Sequence, residues 1–336
     1  MRAGVWTGPG ILEYREWAEP TMASDEVTVR IHFCGMCGSD PHIIEGTLAV
    51  GPPPQVLGHE VSGVVEAVGE DVDDIAVGDR VACNFYAPCG SCAWCSDGQP
   101  NMCRRKFYGA SGFAELATYK ASQVFRLPEG VSTREGALLE PLATCLYALE
   151  QGELRSGENV LVIGGGTMGL LTAQLARRAG AGLVVVSELD PAKRDLATSL
   201  GADVAVDPRV TDLHAYAKGV GRRRGFDVVY DAAGAATATE EALGLLATRG
   251  RLVVIAVHAP ATRLAVSPHL LYARELVVRS AYATAHVFPR AVAMLAHVEL
   301  APLITAVEPL SDITEVYRRH RAGEYTKVLL DPRTER

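Results

Sequence analysis

Four cysteines stand close together in one stretch of the chain, "PCGSCAWCSDGQPNMC". Cys89, Cys92, Cys95 and Cys103 are separated by two, two and seven residues, a spacing that lets four thiolates surround one tetrahedral Zn²⁺. A shell of four thiolates leaves no position for a substrate, so the spacing predicts a structural zinc site. Scattered buried cysteines do not explain such clustering, and a free-standing zinc ribbon pairs its knuckles across a longer gap.

A second group of metal ligands is indicated by the stretches "FCGMCGSDPHIIEG" and "VLGHEVSGVVEAVG". Cys37, His59 and Glu60 offer a sulfur, an imidazole and a carboxylate, a mixture typical of a catalytic zinc that keeps one coordination position open. We therefore predict a catalytic zinc centre at these residues. The valine-rich run that follows Glu60 alternates as a strand leaving the site would.

Three polar residues just after Cys37 fit supporting roles at such a centre. Ser39 and His42 lie two and five residues after Cys37, and we predict that they carry a proton from the site to solvent. Asp40 is predicted to orient a ligating imidazole from outside the coordination shell. The predicted catalytic residues are Ser39, Asp40, His42 and Glu60.

The stretch "NVLVIGGGTMGLLTAQLARRAGAGLVVVS" has the pattern of a dinucleotide-binding turn. We predict a strand at Asn159–Ile163, a helix at Thr167–Ala179 and a second strand at Leu183–Ser187, with the G-x-G-x-x-G turn between the first strand and the helix. Backbone N–H groups at the positive end of this helix would bind the cofactor pyrophosphate. The predicted contacts are Gly164, Gly166, Thr167, Met168 and Gly169.

Two acidic residues near the end of the second strand compete for the cofactor ribose. Asp190 precedes Pro191, which is typical of a helix N-cap, so its carboxylate is expected to bind backbone N–H groups. Glu188 is left to accept from both ribose hydroxyls and to repel a 2′-phosphate, which favours NAD over NADP. Lys193 is included among the cofactor contacts, although it also fits a solvated helix face.

These groups must be positioned by a chain of 336 residues, for which two domains are expected. The formal net charge of −8 and the 48% hydrophobic content describe a globular protein without a basic face, so we expect no nucleic-acid partner. No signal peptide or membrane-spanning run is visible, and we predict no membrane partner and a cytoplasmic protein. Reduced thiols in that compartment favour metal ligation by the cysteines over disulfides.

The rest of the chain continues the α/β pattern. Further strands are predicted at Phe226–Gly234, Gly250–Val257 and Glu275–Tyr282, alternating with helical stretches such as Ala238–Leu246, as a doubly wound sheet requires. After these, two helices and a final strand are predicted. The helices are expected at Pro289–His297 and Ile313–Arg321, and the strand at Thr326–Asp331.

With these motifs in hand, the chain resembles the zinc-dependent medium-chain alcohol dehydrogenases, from Cys37 to at least Lys327. The resemblance implies a GroES-like β-rich catalytic domain and a doubly wound Rossmann domain. We expect residues 1–144 to form the catalytic domain with a zinc lobe at about 86–105, residues 145–282 the Rossmann domain, and residues 283–336 a return to the catalytic domain. It also implies Glu140 as a third catalytic zinc ligand and Lys327 as a contact of the cofactor pyrophosphate. Whether Glu60 or Glu140 completes the shell stays open.

The resemblance further implies the reaction. Two zinc ions and NAD would serve the reversible oxidation of a secondary alcohol by hydride transfer, on a polyol, cyclitol, aminocyclitol or sugar. The tetrapeptide from Glu140 to Ala143 resembles polyol dehydrogenases, whereas Ala283 and Thr284 replace the Arg-Tyr pair of sorbitol dehydrogenases. L-threonine and simple secondary alcohols are the alternative substrates, and a zinc-bound structural or binding protein is the alternative outside enzymes. Dimers or tetramers are common in the family.

Overall fold

The computed structural model describes residues 1–48, 50–109 and 111–334, and they fold into two compact units. The first unit comprises residues 1–143 and 285–336, and the second comprises residues 144–284. Within the described ranges, no helix has both the length and the apolar character needed to cross a membrane. All eight cysteines are free thiols.

The elements follow one another along the chain as follows. The strands are β1 Arg2–Gly8, β2 Ile11–Glu16, β3 Glu26–Gly35, β4 Gln55–Val56, β5 Glu60–Val68, β6 Arg80–Cys83, β7 Tyr86–Ala87, β8 Phe107–Tyr108, β9 Leu116–Lys120, β10 Val124–Arg126, β11 Asn159–Ile163, β12 Leu183–Ser187, β13 Val204–Val206, β14 Phe226–Asp231, β15 Leu246–Val254, β16 Val277–Ser280, β17 Ile304–Pro309 and β18 Lys327–Asp331. The helices are α1 Asp40–Ile44, α2 Ala93–Ser96, α3 Thr133–Gly136, α4 Leu139–Gln151, α5 Thr167–Arg178, α6 Pro191–Ser199, α7 Leu213–Gly219, α8 Ala236–Leu245, α9 Pro268–Arg274, α10 Phe288–Met294 and α11 Ile313–Arg321.

The first unit is built around β3. Val27, Val29 and Ile31 alternate along β3 and are fully buried, as the two-residue period of a strand with one face on a core requires. β3 lies between β5 and β18 in a sheet of order β10-β6-β5-β3-β18-β17, and β9 also pairs with it. Smaller sheets, β2-β1-β4 and β7-β8, complete the unit. The segment that follows the second unit therefore returns to the main sheet of the first unit, because β18 pairs with β3.

The second unit is a parallel sheet of order β13-β12-β11-β14-β15-β16 with helices between its strands. Numbered within the unit, this is the order 3-2-1-4-5-6 of doubly wound dinucleotide-binding folds. The strands predicted at Asn159–Ile163 and Leu183–Ser187 are confirmed with their bounds. The sequences of such strands are continuous apolar runs, because helices cover both faces of the sheet.

Several element ends differ from the predictions, and three of them have local reasons. β14 ends at Asp231, because the residues after it turn toward the glycine loop at Gly164. β15 begins earlier than predicted, at Leu246, since α8 passes directly into it and a register shift absorbs the Arg249 turn. The helix predicted to reach His297 ends as α10 at Met294 and continues as a short 3₁₀ turn.

Candidate active site and metal centres

The register of three strands assembles the first candidate centre. Gly35 at the end of β3 pairs with Glu60 at the start of β5 and with Leu329 of β18. The Met36 N–H donates to the Val328 carbonyl at 3.1 Å, which continues the pairing into the turn that carries Cys37. Side chains from residues 37, 59–60 and 327 are thereby brought to one place by backbone hydrogen bonding.

Cys37, His59 and Glu60 form the group of ligands that the sequence predicted. One ligand atom from each lies within 4.8 Å of the others. Cys37 and His59 are half-buried, whereas Glu60 is 1% exposed. The Phe85 ring lies edge-on against the His59 imidazole, with ring centroids 5.6 Å apart. The group is thus partly open, with an apolar neighbour beside the imidazole.

Asp40 contacts two members of this group, Cys37 and His59. Its Oδ2 accepts a hydrogen bond from the Cys37 N–H at 2.7 Å, and its Oδ1 lies 3.5 Å from His59 Nδ1. The side chain is fully buried, and among the residues that the structure describes Oδ1 has no hydrogen-bond partner. A small rotation of the ring would give this orphaned atom its donor and direct Nε2 toward a metal.

The electrostatics of the group call for a cation. Burial by itself disfavours the His59 imidazolium, but the negative charges of Cys37 and Asp40 outweigh it and raise the pKa of His59 well above its ordinary value. A bound Zn²⁺ would supply the positive charge that these anionic donors otherwise draw from a proton. The soft, borderline and hard donors, their mutual distances and the orphaned Asp40 oxygen all fit zinc.

A buried ion pair adjoins the group. Lys327 Nζ donates to Glu60 Oε1 and Oε2 at 2.8 and 2.6 Å and to the Met36 carbonyl at 3.1 Å. Burial disfavours the ammonium, but Glu60 and Cys37 outweigh it and raise the pKa of Lys327. Gly35 is required here, because a Cβ at that position would collide with Glu60 Oε2. No sequence pattern indicated this pair, and the predicted pyrophosphate contact of Lys327 stays a prediction.

The predicted proton relay lies on α1. Ser39 is the N-cap residue of α1, and its hydroxyl makes no capping hydrogen bond. His42 lies three residues further on, so both side chains belong to one side of the helix. Thr47 Oγ1 donates to the His42 carbonyl at 3.0 Å and lies 3.4 Å from His42 Nδ1. Thr47, which the sequence did not single out, therefore fixes the position of His42.

Glu140, the other predicted ligand, and His320 both belong to the first unit. Glu140 is 7% exposed in the first turn of α4 and is not part of the group formed by Cys37, His59 and Glu60. Its role as a ligand remains a prediction. His320 of α11 has a buried Nδ1 with no hydrogen-bond partner among the described residues, and burial, with help from the Lys327 charge, lowers its pKa.

The four cysteines of the second centre come together as predicted. One sulfur from each of Cys89, Cys92, Cys95 and Cys103 lies within 4.8 Å of the others. The Cys92 and Cys95 sulfurs are 3.5 Å apart, close to the edge of about 3.8 Å that a tetrahedral Zn–S₄ site requires. The backbone N–H groups of Cys89 and Arg105 donate to the Cys103 sulfur, each at 3.4 Å.

The acidity of these thiols also fits a metal. Hydrogen bonding, first from the Ser91 backbone, lowers the pKa of Cys89 to about 5, and a backbone hydrogen bond from Cys95 lowers the pKa of Cys92. Burial, with the neighbouring sulfurs, raises the pKa of Cys95 to about 11. Without a cation the cluster therefore resists complete ionisation, and Zn²⁺ is the ion that four thiolates at this spacing select.

In the second unit, the glycine loop and Glu188 meet at the carboxyl ends of β11 and β12. Glu188 Oε2 accepts from the Gly165 N–H at 2.5 Å, and Oε1 accepts from the Asp190 N–H at 2.9 Å. A Cβ on Gly169 would collide with the Gly164 carbonyl, so the loop can lie against α5 only with glycine there. Glu188 therefore borders the loop in which the pyrophosphate is predicted to bind.

The other predicted cofactor residues lie on α5 and α6. Gly166 is the N-cap of α5, and Thr167 and Met168 occupy its first two positions. Asp190 Oδ1 accepts from the Ala192 N–H at 2.8 Å, so its predicted role as N-cap of α6 is confirmed. Lys193 lies in the first turn of α6.

Comparison with known proteins identifies the family. Residues 23–129 match the alcohol dehydrogenase GroES-like domain, and residues 167–297 match the zinc-binding dehydrogenase domain. The chain is 34% identical over 299 residues, 87% of each protein, to 2-dehydro-3-deoxy-L-galactonate 5-dehydrogenase of Pseudoalteromonas atlantica. It is 32% identical, over 99% of each protein, to sorbitol dehydrogenase of Halalkalibacterium halodurans.

A solved structure gives the same result. A protein of Sinorhizobium meliloti 1021, described as a candidate zinc-binding dehydrogenase bound to NADP, superposes with a TM-score of 0.93 at 32% identity, over 98% of this chain and 99% of that one. The chain belongs to the zinc-dependent medium-chain alcohol dehydrogenase family, and it is an oxidoreductase with a GroES-like domain and a Rossmann domain. The predicted family, fold class and enzyme class are confirmed.

Proposed function

We propose that the protein catalyses the reversible, zinc- and NAD-dependent oxidation of a secondary alcohol on a polyol, cyclitol, aminocyclitol or sugar. The observation that carries this proposal is the partly open group of Cys37, His59 and Glu60, with donors of three types. The family resemblance adds Glu140, in the first turn of α4, as a candidate ligand. When bound, zinc supplies Lewis acidity toward the substrate oxygen and the nicotinamide accepts hydride.

The chain's own residues orient the ligands and move the proton. Asp40 fixes the Cys37 turn and faces the His59 imidazole, so the two ligands keep one geometry through turnover. Ser39 takes the hydroxyl proton and passes it toward His42, which Thr47 holds at the exposed end of the relay. Phe85 excludes water from one side of His59.

The third zinc ligand is proposed to be Glu140. The Glu60 carboxylate is already engaged at both oxygens by Lys327, so its ligation of zinc would leave a buried ammonium without its partner. The test is the zinc content of the variants Glu140→Gln and Glu60→Gln. We expect Glu140→Gln to lose the catalytic zinc, and a loss in Glu60→Gln alone would contradict the assignment.

The substrate proposal rests on the relatives and on the donor set. The two relatives are named for a sugar acid and for sorbitol. A carboxylate in place of a thiolate makes the zinc environment more polar, which suits a substrate with several hydroxyls. Ala283 and Thr284 lack the side chains of the sorbitol-type Arg-Tyr pair, so linear sorbitol is expected to be a poor substrate.

The test is NADH formation with a panel of cyclitols, aminocyclitols, sugars, linear polyols, L-threonine and simple alcohols. The expected result is the highest kcat/KM with a cyclic polyhydroxylated substrate. If ethanol or L-threonine exceeds every polyol and sugar, the polyol proposal is wrong and one of the alternative substrates takes its place.

NAD is proposed as the cofactor because Glu188 borders the glycine loop. Its carboxylate would accept from both ribose hydroxyls, and Glu188→Ala should reduce the preference for NAD by about 1 to 3 kcal/mol, the value of charge-assisted hydrogen bonds. Asp190→Ala is the matched control, since Asp190 caps α6. A wild-type enzyme that uses NADP better than NAD contradicts the proposal.

We also propose two zinc ions per chain, one in each ligand group, a homodimer or homotetramer, and a cytoplasmic location, which the free thiols favour. Elemental analysis should return two zinc ions per chain. A value clearly below one would contradict both sites, and size-exclusion chromatography with light scattering would report the oligomeric state.

A further inference from the structure

Two arginines lie beside the proposed ribose acid. Arg194 Nη1 donates to the carbonyls of Glu188 and Leu189 at 2.8 and 2.7 Å, and Arg209 Nη2 donates to the Leu189 carbonyl at 2.7 Å. We call Arg194 and Arg209 the arginine pair. Both are thus bound to the backbone segment that ends β12 and presents the Glu188 carboxylate.

Asp207 neutralises this pair. Its two oxygens accept from Arg209 Nε and Nη2 at 2.9 and 2.6 Å, and its Oδ2 lies 3.3 Å from Arg194 Nη1. The Arg209 backbone N–H also donates to Asp207, at 3.0 Å. These hydrogen bonds, first those from Arg209, keep the pKa of Asp207 well below its ordinary value. Asp207 is therefore ionised at neutral pH, and its charge is fully committed to the arginines.

Asp207 and the arginine pair lie at the edge of the sheet where a nucleotide would bind. Asp207 directly follows β13, and Glu188 directly follows β12, so both lie at the carboxyl edge of the parallel sheet, where nucleotides bind. In enzymes that use NADP, an arginine at this edge binds the 2′-phosphate, whereas an acidic residue there selects NAD. This chain carries both kinds of group within one hydrogen-bonded network.

We propose that the arginine pair forms a masked binding site for the 2′-phosphate of NADP, kept closed by Asp207. The proposal rests on the proposed ribose contact of Glu188. In the wild-type chain, two carboxylates balance two guanidiniums, and Asp207 occupies the bidentate face of Arg209 that a phosphate would need. Removal of the Asp207 charge releases that face. Arg209 is 62% exposed and can turn toward a ligand, while Arg194, at 21%, stays on the backbone carbonyls.

The test compares binding of adenosine 2′,5′-bisphosphate with binding of 5′-AMP by isothermal titration calorimetry, which needs no turnover. For Asp207→Asn, which keeps the shape of the side chain, the affinity for the bisphosphate relative to 5′-AMP should rise about tenfold, the lower range for a charge-assisted pair. The ratio of kcat/KM for NADP to that for NAD should rise in parallel. Adding Arg209→Gln should abolish the gain.

Asp227→Asn is the matched control. It removes the same charge from the same unit, and Asp227 also faces an arginine, Arg223, at 3.6 Å, but it lies at the start of β14, on the opposite edge of the sheet. Thermal unfolding of each variant shows whether it is folded. A gain in Asp227→Asn equal to that in Asp207→Asn would indicate a general charge effect and overturn the proposal.

The remaining outcomes separate this inference from the cofactor proposal. If wild type prefers NAD and folded Asp207→Asn shows no gain for the bisphosphate, the arginine pair is only a structural clamp and the masked site is wrong. If wild type itself prefers NADP, the proposed NAD preference is wrong, and the site is not masked. If Asp207→Asn unfolds, Asp207→Ser is measured in the same way and carries the same expectation.

Discussion

The two ligand groups of the first unit differ in how they are built. The four-cysteine group comes from one continuous stretch of fifteen residues, has sulfur donors only, and is stabilised by backbone N–H groups of its own loop. The group of Cys37, His59 and Glu60 is assembled from the ends of β3 and β5, with β18 alongside, and has donors of three kinds.

Their surroundings differ in the same sense. The thiols have each other and backbone N–H groups as neighbours, so a bound metal would complete the shell and leave no position for a substrate. The mixed group has the Asp40 carboxylate bonded to the Cys37 N–H, a lysine paired with Glu60, and the residues of the predicted relay on the adjoining α1. The four-cysteine group, which is local and closed, is suited to stabilising the fold. The mixed group, which has separate supporting residues, is suited to proton and hydride transfer.

The largest effect is expected from Cys37→Ala. Removal of this ligand should leave the fold intact and lower kcat/KM by about a thousandfold or more, since a Lewis acid supplies several kcal/mol of transition-state stabilisation. One zinc per chain should remain in elemental analysis. A variant that keeps both zinc ions and full turnover would show that Cys37 is not a ligand.

Cys95→Ser should have the opposite profile. An incomplete thiolate shell loses metal-coupled folding energy, so the free energy of unfolding should fall by about 4 kcal/mol. A loss this large has few causes, and loss of a bound metal is one of them. The folded fraction should turn over with nearly wild-type kcat. Thermal unfolding and zinc analysis, measured beside Cys37→Ala, test the comparison directly. If Cys95→Ser loses turnover while its stability is unchanged, the two groups do not divide their roles as described.

Asp40→Asn tests the support of the mixed group. The amide keeps an acceptor for the Cys37 N–H but removes the charge that faces His59, 3.5 Å away. Supporting residues of this kind change metal affinity or activity by about 10- to 100-fold, and we expect a loss in that range with partial recovery in added zinc. Asp97→Asn, in the cysteine lobe, is the control for loss of one acidic charge. Equal activity of Asp40→Asn and wild type would show that Asp40 does not support the site.

The same difference explains what the sequence could predict. The cysteine lobe and the strands at Asn159–Ile163 and Leu183–Ser187 are local patterns, so spacing and continuous apolar runs were sufficient to find them. The type of each ligand in the mixed group was also predictable. That these ligands lie together depends on the pairing of β3 with β5, which no short window of sequence contains.

The sequence did not predict the ion pair that joins two distant elements or the local contact of Thr47. Lys327 and Glu60 are 267 positions apart, and a buried lysine cannot be told from an exposed one without the register of β18 on β3. Thr47 lies near His42 in the sequence, but an isolated threonine in a polar turn carries no distinctive pattern. Element ends such as the start of β15 at Leu246 depend on a register shift that compensates for the Arg249 turn.

The smallest effect is expected at the outer end of the relay, which only the mixed group possesses. Thr47→Val keeps the shape of the side chain but removes the hydroxyl that donates to the His42 carbonyl and lies beside Nδ1. One neutral hydrogen bond is worth about 1 kcal/mol, so kcat/KM should fall by about fivefold, with zinc content and unfolding temperature unchanged. Thr47→Ser, which retains the hydroxyl, should recover wild-type activity. The four-cysteine group has no proton to move, so it has no counterpart to this effect. The loss should appear in the pH profile of kcat and not in stability. A fall in unfolding temperature with an unchanged pH profile would mean that Thr47 only closes the turn after α1.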